Sequence, residues 1–134
     1  MDNGSNISLK RAYDPPEKSD GPRFLVDHLW PRGLKKESLH LESWEKAVAP
    51  STRLRQWFGH NPVRWPEFER RYFAELDDKP EAWQPLLDAA HDHKITLVFG
   101  AHDREHNNAV ALKEYLEGKI AGKLNRNRGR LVAS

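Results

Sequence analysis

The chain has 134 residues, of which 37% are apolar and 31% are charged, and its formal net charge is +2. This length suits one domain with one core, and no stretch approaches the ~18–20 apolar residues that a membrane span requires. Because the chain has no cysteine, disulfide frameworks, thiolate metal sites and cysteine nucleophiles are excluded. The first residues lack the basic and apolar segments of a secretory signal, so we expect a cytoplasmic protein.

Positive charge is concentrated near the carboxyl terminus. Five of the 22 basic residues lie within positions 119–134, which hold no acid, so the rest of the chain has 17 bases against 20 acids. We therefore predict a single domain over residues 1–122 and a basic tail over residues 123–134. Such a tail could contact nucleic acid, since Lys and Arg displace counterions from phosphate, although the acidic body disfavours this role. A solvated, frayed terminus is the structural alternative.

Hydrophobic patterning predicts three strands. Residues 5–13 alternate between apolar and polar side chains, which is typical of a half-buried strand. Residues 23–30 contain a continuous apolar run, as in a central strand that is buried on both faces. Residues 95–99 are apolar and β-branched, which predicts an interior strand flanked by the strand at 24–29.

Helical periodicity and capping signals predict the elements between these strands. The first predicted helix starts at Ser51 or Thr52 and runs to Phe58, ended by Gly59, and the second starts at Pro62 or Trp65 and runs to about Asp77. The third covers residues 80–93, and the last begins at Asn107 or Asn108 and ends at Gly118 or Gly122. Pro85 lies inside the third helix, so we expect a bend or a late start there. Residues 35–43 fit one helical turn, and residues 44–48 fit a short strand, which we favour, or the end of a helix. Strands separated by helices predict an α/β fold: a single compact domain with a small, mostly parallel sheet flanked by helices.

The loop over residues 27–33 is the first candidate site, because ligands of open parallel sheets bind outside the carboxyl ends of the strands. Asp27 would orient a substrate or move a proton, and Trp30 would line the pocket. Arg32 would hold an anion, since a guanidinium binds carboxylate or phosphate through two parallel hydrogen bonds. The structural alternative is an ion pair between Asp27 and Arg23, Arg32 or Arg55.

The loop over residues 100–108 is the second candidate site. His106 could transfer protons near neutral pH, and ligand-binding roles are assigned to Asp103, Asn107 and Asn108. A purely structural interpretation has Asp103 and Asn107 capping the following helix. A metal site is the third interpretation, built from the nitrogen and oxygen ligands of His102, Asp103, Glu105 and His106; it is disfavoured because no third histidine is near.

Several motifs carry a resemblance to a known family. They are Lys10-Arg11-Ala12-Tyr13-Asp14, the segments 23–33, 49–60 and 68–72, and Asp103-Arg104-Glu105-His106-Asn107-Asn108-Ala109. Together they resemble the YeaO-like proteins of the domain-of-unknown-function family 488 over residues 7–118. The resemblance implies a compact bacterial α/β domain and leaves the reaction open. His28 and His102 depart from the family pattern, so neither is assigned a catalytic role.

The leading hypothesis is an enzyme or enzyme-derived domain that binds a small phosphorylated or nucleotide-like ligand. Arg32 and Arg55 would hold the anion, and Asp27 and His106 would supply acid–base chemistry. One alternative is a non-catalytic nucleic-acid-binding or regulatory protein that uses the basic tail. Another is a partner-binding module whose Trp-rich segment packs a dimer. No metal or cofactor is assigned, and the oligomeric state is left open.

Overall fold

The computed structural model describes residues 6–133, with side chains described through residue 122. The strands are β1 (Ile7–Arg11), β2 (Arg23–Leu25), β3 (Ser43–Trp44) and β4 (Ile95–Phe99). The α-helices are α1 (Lys36–Leu39), α2 (Thr52–Phe58), α3 (Trp65–Asp77), α4 (Pro80–Asp92) and α5 (Asn108–Ala133). All strand pairings are parallel, in the order β1-β4-β2-β3. The predicted α/β fold is therefore confirmed.

The best-predicted strand, β4, lies between β1 and β2, and all five of its residues are buried. Leu97 is in register with Leu9 on one side and Phe24 on the other. The prediction of an interior strand at 95–99 is thus confirmed. Its neighbour β2 is shorter than predicted. Its regular pairing with β4 ends at Leu25, and one further hydrogen bond runs from the Val26 N–H to the Val98 carbonyl at 3.1 Å.

The two faces of the sheet are covered unequally. Helices α2 to α5 pack on one face, where Leu97 belongs to a large buried cluster. Its neighbour Val98 faces the other way, as strand alternation requires, and belongs to a small cluster covered by α1 and the segment around it. The small cluster contains Ala12, Leu25, Leu39 and Val98, with Trp30, Leu34, Leu41 and Trp44 packed against it. The thinly covered face thus depends on one short helix and a loop.

Local sequence signals explain the position of α2. The Ser51 hydroxyl accepts a hydrogen bond from the Leu54 N–H at 3.1 Å, which caps the first turn. Gly59 ends the helix in the left-handed conformation with φ of 54°, which glycine adopts without steric cost. Ser51 and Gly59 are start and end signals that the sequence predicts for this helix, and the structure confirms both. Buried Leu54 and Phe58 anchor the helix to the core and hold Arg55 beside the sheet edge.

Some predicted boundaries are wrong. Residues 44–48 are not a strand: β3 stops at Trp44, the last residue that short β2 pairs with, and a 3-10 turn follows over Lys46–Val48. The helix α4 begins at Pro80 and includes Pro85, so the late start is also wrong.

The last helix also differs, because α5 continues through Gly118 and Gly122 to Ala133. Neither glycine takes the left-handed conformation that would end a helix. The side chains of the predicted basic tail, residues 123–134, lie outside the described residues. Within the described part of the chain, no helix combines the length and apolarity needed to cross a bilayer.

Candidate ligand-binding site

The carboxyl ends of β2 and β4 open onto two adjoining cavities. The larger, of about 740 Å³, is called here the polar cavity, and its own lining residues include Asp27, His28, Trp30, Arg32, His102 and Asp103. The smaller, of about 310 Å³, is called the aromatic cavity, and its own lining residues are Gln56, Phe58, Phe68, His106 and Asn107. Both are lined by Pro50, Arg55, His60, Ala101 and Asn108. The two cavities therefore meet at a common wall.

Each residue predicted for the site lines one or both cavities. Asp27, Trp30, Arg32 and Asp103 line the polar cavity; His106 and Asn107 line the aromatic cavity; Arg55 and Asn108 line both. The arrangement brings the two arginines together with Asp27. It separates Asp27 from His106, because these two residues line no cavity in common.

Asp27 follows β2 by two residues and is largely buried. Its Oδ2 accepts a hydrogen bond from the Gly100 N–H at 2.8 Å, whereas its Oδ1 is buried without a hydrogen-bond partner among the described residues. Burial raises the pKa of the Asp27 carboxyl, and the Gly100 N–H, the Asn108 carboxamide and the Arg55 charge offset only part of this effect. A Cβ at Gly100 would lie 3.3 Å from Oδ2, so glycine permits this close approach.

None of the arginines described forms an ion pair with Asp27, so the structural alternative weighed above is wrong. Arg23 instead pairs with buried Asp20 at 2.7 Å. The Arg55 guanidinium donates to the Pro50 carbonyl at 3.1 Å and to the Thr52 hydroxyl at 2.8 Å. These bonds hold it at the junction of the cavities, where its charge lowers the pKa of Asp27.

Arg32 is exposed at the rim of the polar cavity. Its carbonyl accepts a hydrogen bond from the Tyr13 hydroxyl at 2.8 Å, which fixes the backbone. Its guanidinium has no ion-pair partner within the described part of the chain. Trp30 stands beside it, with its indole N–H donating to the Leu34 carbonyl at 2.7 Å and its ring edge-to-face with Trp44 at 5.4 Å. The wall is therefore ordered while the Arg32 charge stays available.

The loop before α5 is held by its own side chains. Asp103 Oδ1 accepts from the N–H groups of Glu105 at 2.8 Å and His106 at 3.0 Å, and Oδ2 contacts the His106 Nδ1 at 2.9 Å. These bonds, led by the Glu105 N–H, lower the pKa of Asp103. Asn107 accepts from the Val110 N–H at 3.0 Å and so caps α5. Asn107 thus caps α5 as the capping interpretation predicts, whereas Asp103 does not, because it accepts from N–H groups of the loop before α5 begins at Asn108.

Some cavity residues were missed by sequence reasoning. Strand alternation predicts that His28 faces away from Asp27 and is packed, but β2 ends at Leu25 and His28 is exposed at the polar cavity. Phe68 belongs to an apolar helical stripe, and no sequence signal separates a core residue from a cavity wall. His60 follows the glycine that ends α2, and only its place in the family motif could have indicated it. Among the described residues, no group of three or more potential ligands forms a metal site.

Comparison with known proteins places the chain in a family. Residues 6–130 match the family model described as the inactive DUF488-N3 subclade. The uncharacterized protein YeaO of Escherichia coli is 43% identical over 111 residues, covering 83% of this chain and 96% of YeaO. The uncharacterized protein Rv3073c of Mycobacterium tuberculosis is 34% identical over 115 residues, covering 86% and 97% respectively. No solved structure matches significantly. The chain therefore belongs to the DUF488 family, in the subclade described as inactive DUF488-N3.

Proposed function

We propose that this protein is an enzyme-derived binding domain for a small phosphorylated or nucleotide-like ligand, which it holds without chemical conversion. One observation carries the proposal: Arg32 and Arg55 line the same cavity as Asp27, whose buried Oδ1 has no hydrogen-bond partner among the residues that the structure describes. Two guanidinium groups suit phosphate, because each can form parallel charge-assisted hydrogen bonds.

The arrangement of the candidate acid and base favours binding over catalysis. General acid–base catalysis requires both groups within hydrogen-bond reach of the reacting atoms, but Asp27 and His106 line different cavities. His106 is also engaged by Asp103 at 2.9 Å and by the edge of the Trp65 ring at 5.4 Å. The family description as inactive supports the same conclusion.

Asp27 indicates a second property of the ligand. A buried carboxylate oxygen without a hydrogen bond is costly, and a ligand hydroxyl or N–H group would supply the missing donor. A bare anion would be repelled by the same carboxylate. The ligand therefore carries both an anionic group for the arginines and a hydrogen-bond donor for Asp27, as a sugar phosphate does.

The test is isothermal titration calorimetry with ribose 5-phosphate on the wild-type protein, R32A and the control R53A. Arg53 is an exposed arginine on α2 that lines neither cavity. A charge-assisted hydrogen bond contributes about 1.5–3 kcal/mol, so R32A should weaken binding about 10–150-fold, whereas R53A should bind as the wild type does. Failure of the wild type to bind, or equal affinity of R32A, would overturn the proposal.

A further inference from the structure

The aromatic cavity is not used by the proposed anion site. Its apolar walls are the buried Pro50, Phe58 and Phe68, and the two phenyl rings lie 4.5 Å apart between centroids. The imidazoles of His60 and His106 complete the lining. These groups are flat rings, and flat rings favour stacked or edge-to-face contact with another ring.

The size and position of the aromatic cavity restrict its occupant. Its volume of about 310 Å³ lies at the small end of the ~300–1,000 Å³ that small-molecule pockets occupy. Arg55 and Asn108 line both cavities, so a ligand whose anion contacts Arg55 has the aromatic cavity directly beside it. The remainder of such a ligand is therefore small, and its flat faces would contact apolar walls.

Gln56 supplies a polar group at the aromatic cavity. It is exposed on α2, next to Arg55, and its carboxamide has no hydrogen-bond partner in the described part of the chain. A carboxamide offers two donors and one acceptor, which is the pattern that the edge of a nucleobase complements. A purely hydrocarbon ring would leave this group unused.

Resting on the proposed anion site, we infer that the ligand is a nucleoside monophosphate. The base occupies the aromatic cavity, with one face against the wall that Phe58 and Phe68 form together and its edge toward Gln56. The phosphate contacts Arg32 and Arg55, and a ribose hydroxyl donates to Asp27 Oδ1. The phosphate, one ribose hydroxyl and the base edge thus each meet a side chain of complementary chemistry.

The experiment compares three kinds of ligand by isothermal titration calorimetry: the four common ribonucleoside 5′-monophosphates, ribose 5-phosphate, and adenosine. We expect the tightest nucleotide to bind at least about tenfold more strongly than ribose 5-phosphate, since ring stacking adds to the phosphate contacts. Q56A should weaken nucleotide binding about 3–10-fold and leave ribose 5-phosphate unaffected. The matched control is Q84A, on α4 and outside both cavities, which should change neither affinity.

The two proposals fail in different ways. Equal affinities for nucleotides and ribose 5-phosphate would overturn the base site and leave the anion site standing. Nucleotide binding that Q56A leaves unchanged would also overturn the assigned base orientation. If no phosphorylated compound binds, the anion site is wrong, and the nucleotide assignment falls with it.

Discussion

Asp27 places a carboxyl group at a buried position where its charge is only partly compensated. Its carboxyl is largely buried, one oxygen has no partner among the described residues, and burial raises its pKa. Polar groups that destabilise a protein are common at binding sites, where the ligand satisfies them. The position of Asp27 in a cavity that two arginines also line fits this pattern.

We therefore predict that D27N increases the free energy of unfolding at pH 7 by about 1 kcal/mol while weakening ligand binding. The asparagine oxygen can still accept the Gly100 N–H, and the removal of the buried charge outweighs the cost of an NH2 group that takes the unpaired position of Oδ1. Because the folded state holds the Asp27 proton more tightly than the unfolded state, wild-type stability decreases as pH rises above about 3.8 through the raised folded pKa. Urea unfolding at pH 3.5 and pH 7 should show a gain for the variant only at pH 7; a loss at pH 7 would identify Asp27 as a structural residue.

For Asp103 and Asn107, the residue type alone could not distinguish ligand binding from a structural role. An acid or amide at the start of a helix can bind a ligand or cap backbone N–H groups, and the residue types are the same in both cases. The choice depends on side-chain rotation, which the sequence does not encode locally. Arg32 and Arg55 were easier to assign to one edge, because the strands and helix that carry them were predictable.

At the scale of elements, α3 and α5 bring two carboxyl groups together. Glu69 on α3 contacts Glu114 on α5, and burial together with hydrogen bonding to Glu114 raises the pKa of Glu69 to about 8. The unfolded chain would lose this proton near 4.5. Stability from the shared proton is thus complete below about pH 4.5 and is lost progressively as pH rises to about 8.

Replacing Glu114 should remove this loss of stability at high pH. E114Q keeps a hydrogen-bond donor for Glu69 and removes the repulsion, so we expect it to be more stable than the wild type at pH 8 by about 1 kcal/mol, a modest value because the pair is partly solvated. At pH 5 the variant and the wild type should have the same melting temperature. E117Q, one turn away on α5, is the control and should follow the wild type at both pH values. Thermal melts that show no gain for E114Q at pH 8 would contradict the shared proton.

Replacing a glycine inside α5 tests whether this helix is continuous. A Cβ at Gly118 would meet no atom within 4 Å, and alanine favours a helix interior over glycine by about 0.5–1 kcal/mol. G118A should therefore raise the melting temperature by several degrees. G21A should lower it, since Gly21 has φ of 64° and its Cβ would lie 2.4 Å from the Lys94 carbonyl oxygen. A fall for G118A would mean that the helix is not continuous at this position.

Element types were more predictable than element ends. The apolar stripe of α3 and the apolar run of β4 follow from residue spacing alone. The ends of β2 and β3 depend on how far the partner strand extends, as their pairing through Leu25 and Trp44 shows. The end of α5 depends on whether a glycine turns left-handed, and the residue type permits either outcome.

In the whole molecule, the excess positive charge and the buried core lie in different parts of the chain. The described core contacts of α5 extend through Leu116 and partly buried Ile120, whereas most of the basic excess lies beyond residue 122. We predict that removal of residues 123–134 leaves the melting temperature within about 2 °C of the full chain. Differential scanning calorimetry measures this directly, and a larger drop would show that the segment contributes to the folded core.

Because the two faces of the sheet are covered unequally, we expect local opening of the backbone to begin on the thinly covered face. Regions with few buried apolar contacts exchange their amide hydrogens through local opening, at a lower free energy than global unfolding. The small cluster beneath α1 holds Trp30 and so supports one wall of the polar cavity, while β4 is buried on both faces. Amides of residues 28–42 should therefore exchange faster than those of β4, and a bound ligand should slow them selectively. A ligand would then enter the site through local opening of the thinly covered face, while the face covered by α2 to α5 stays closed.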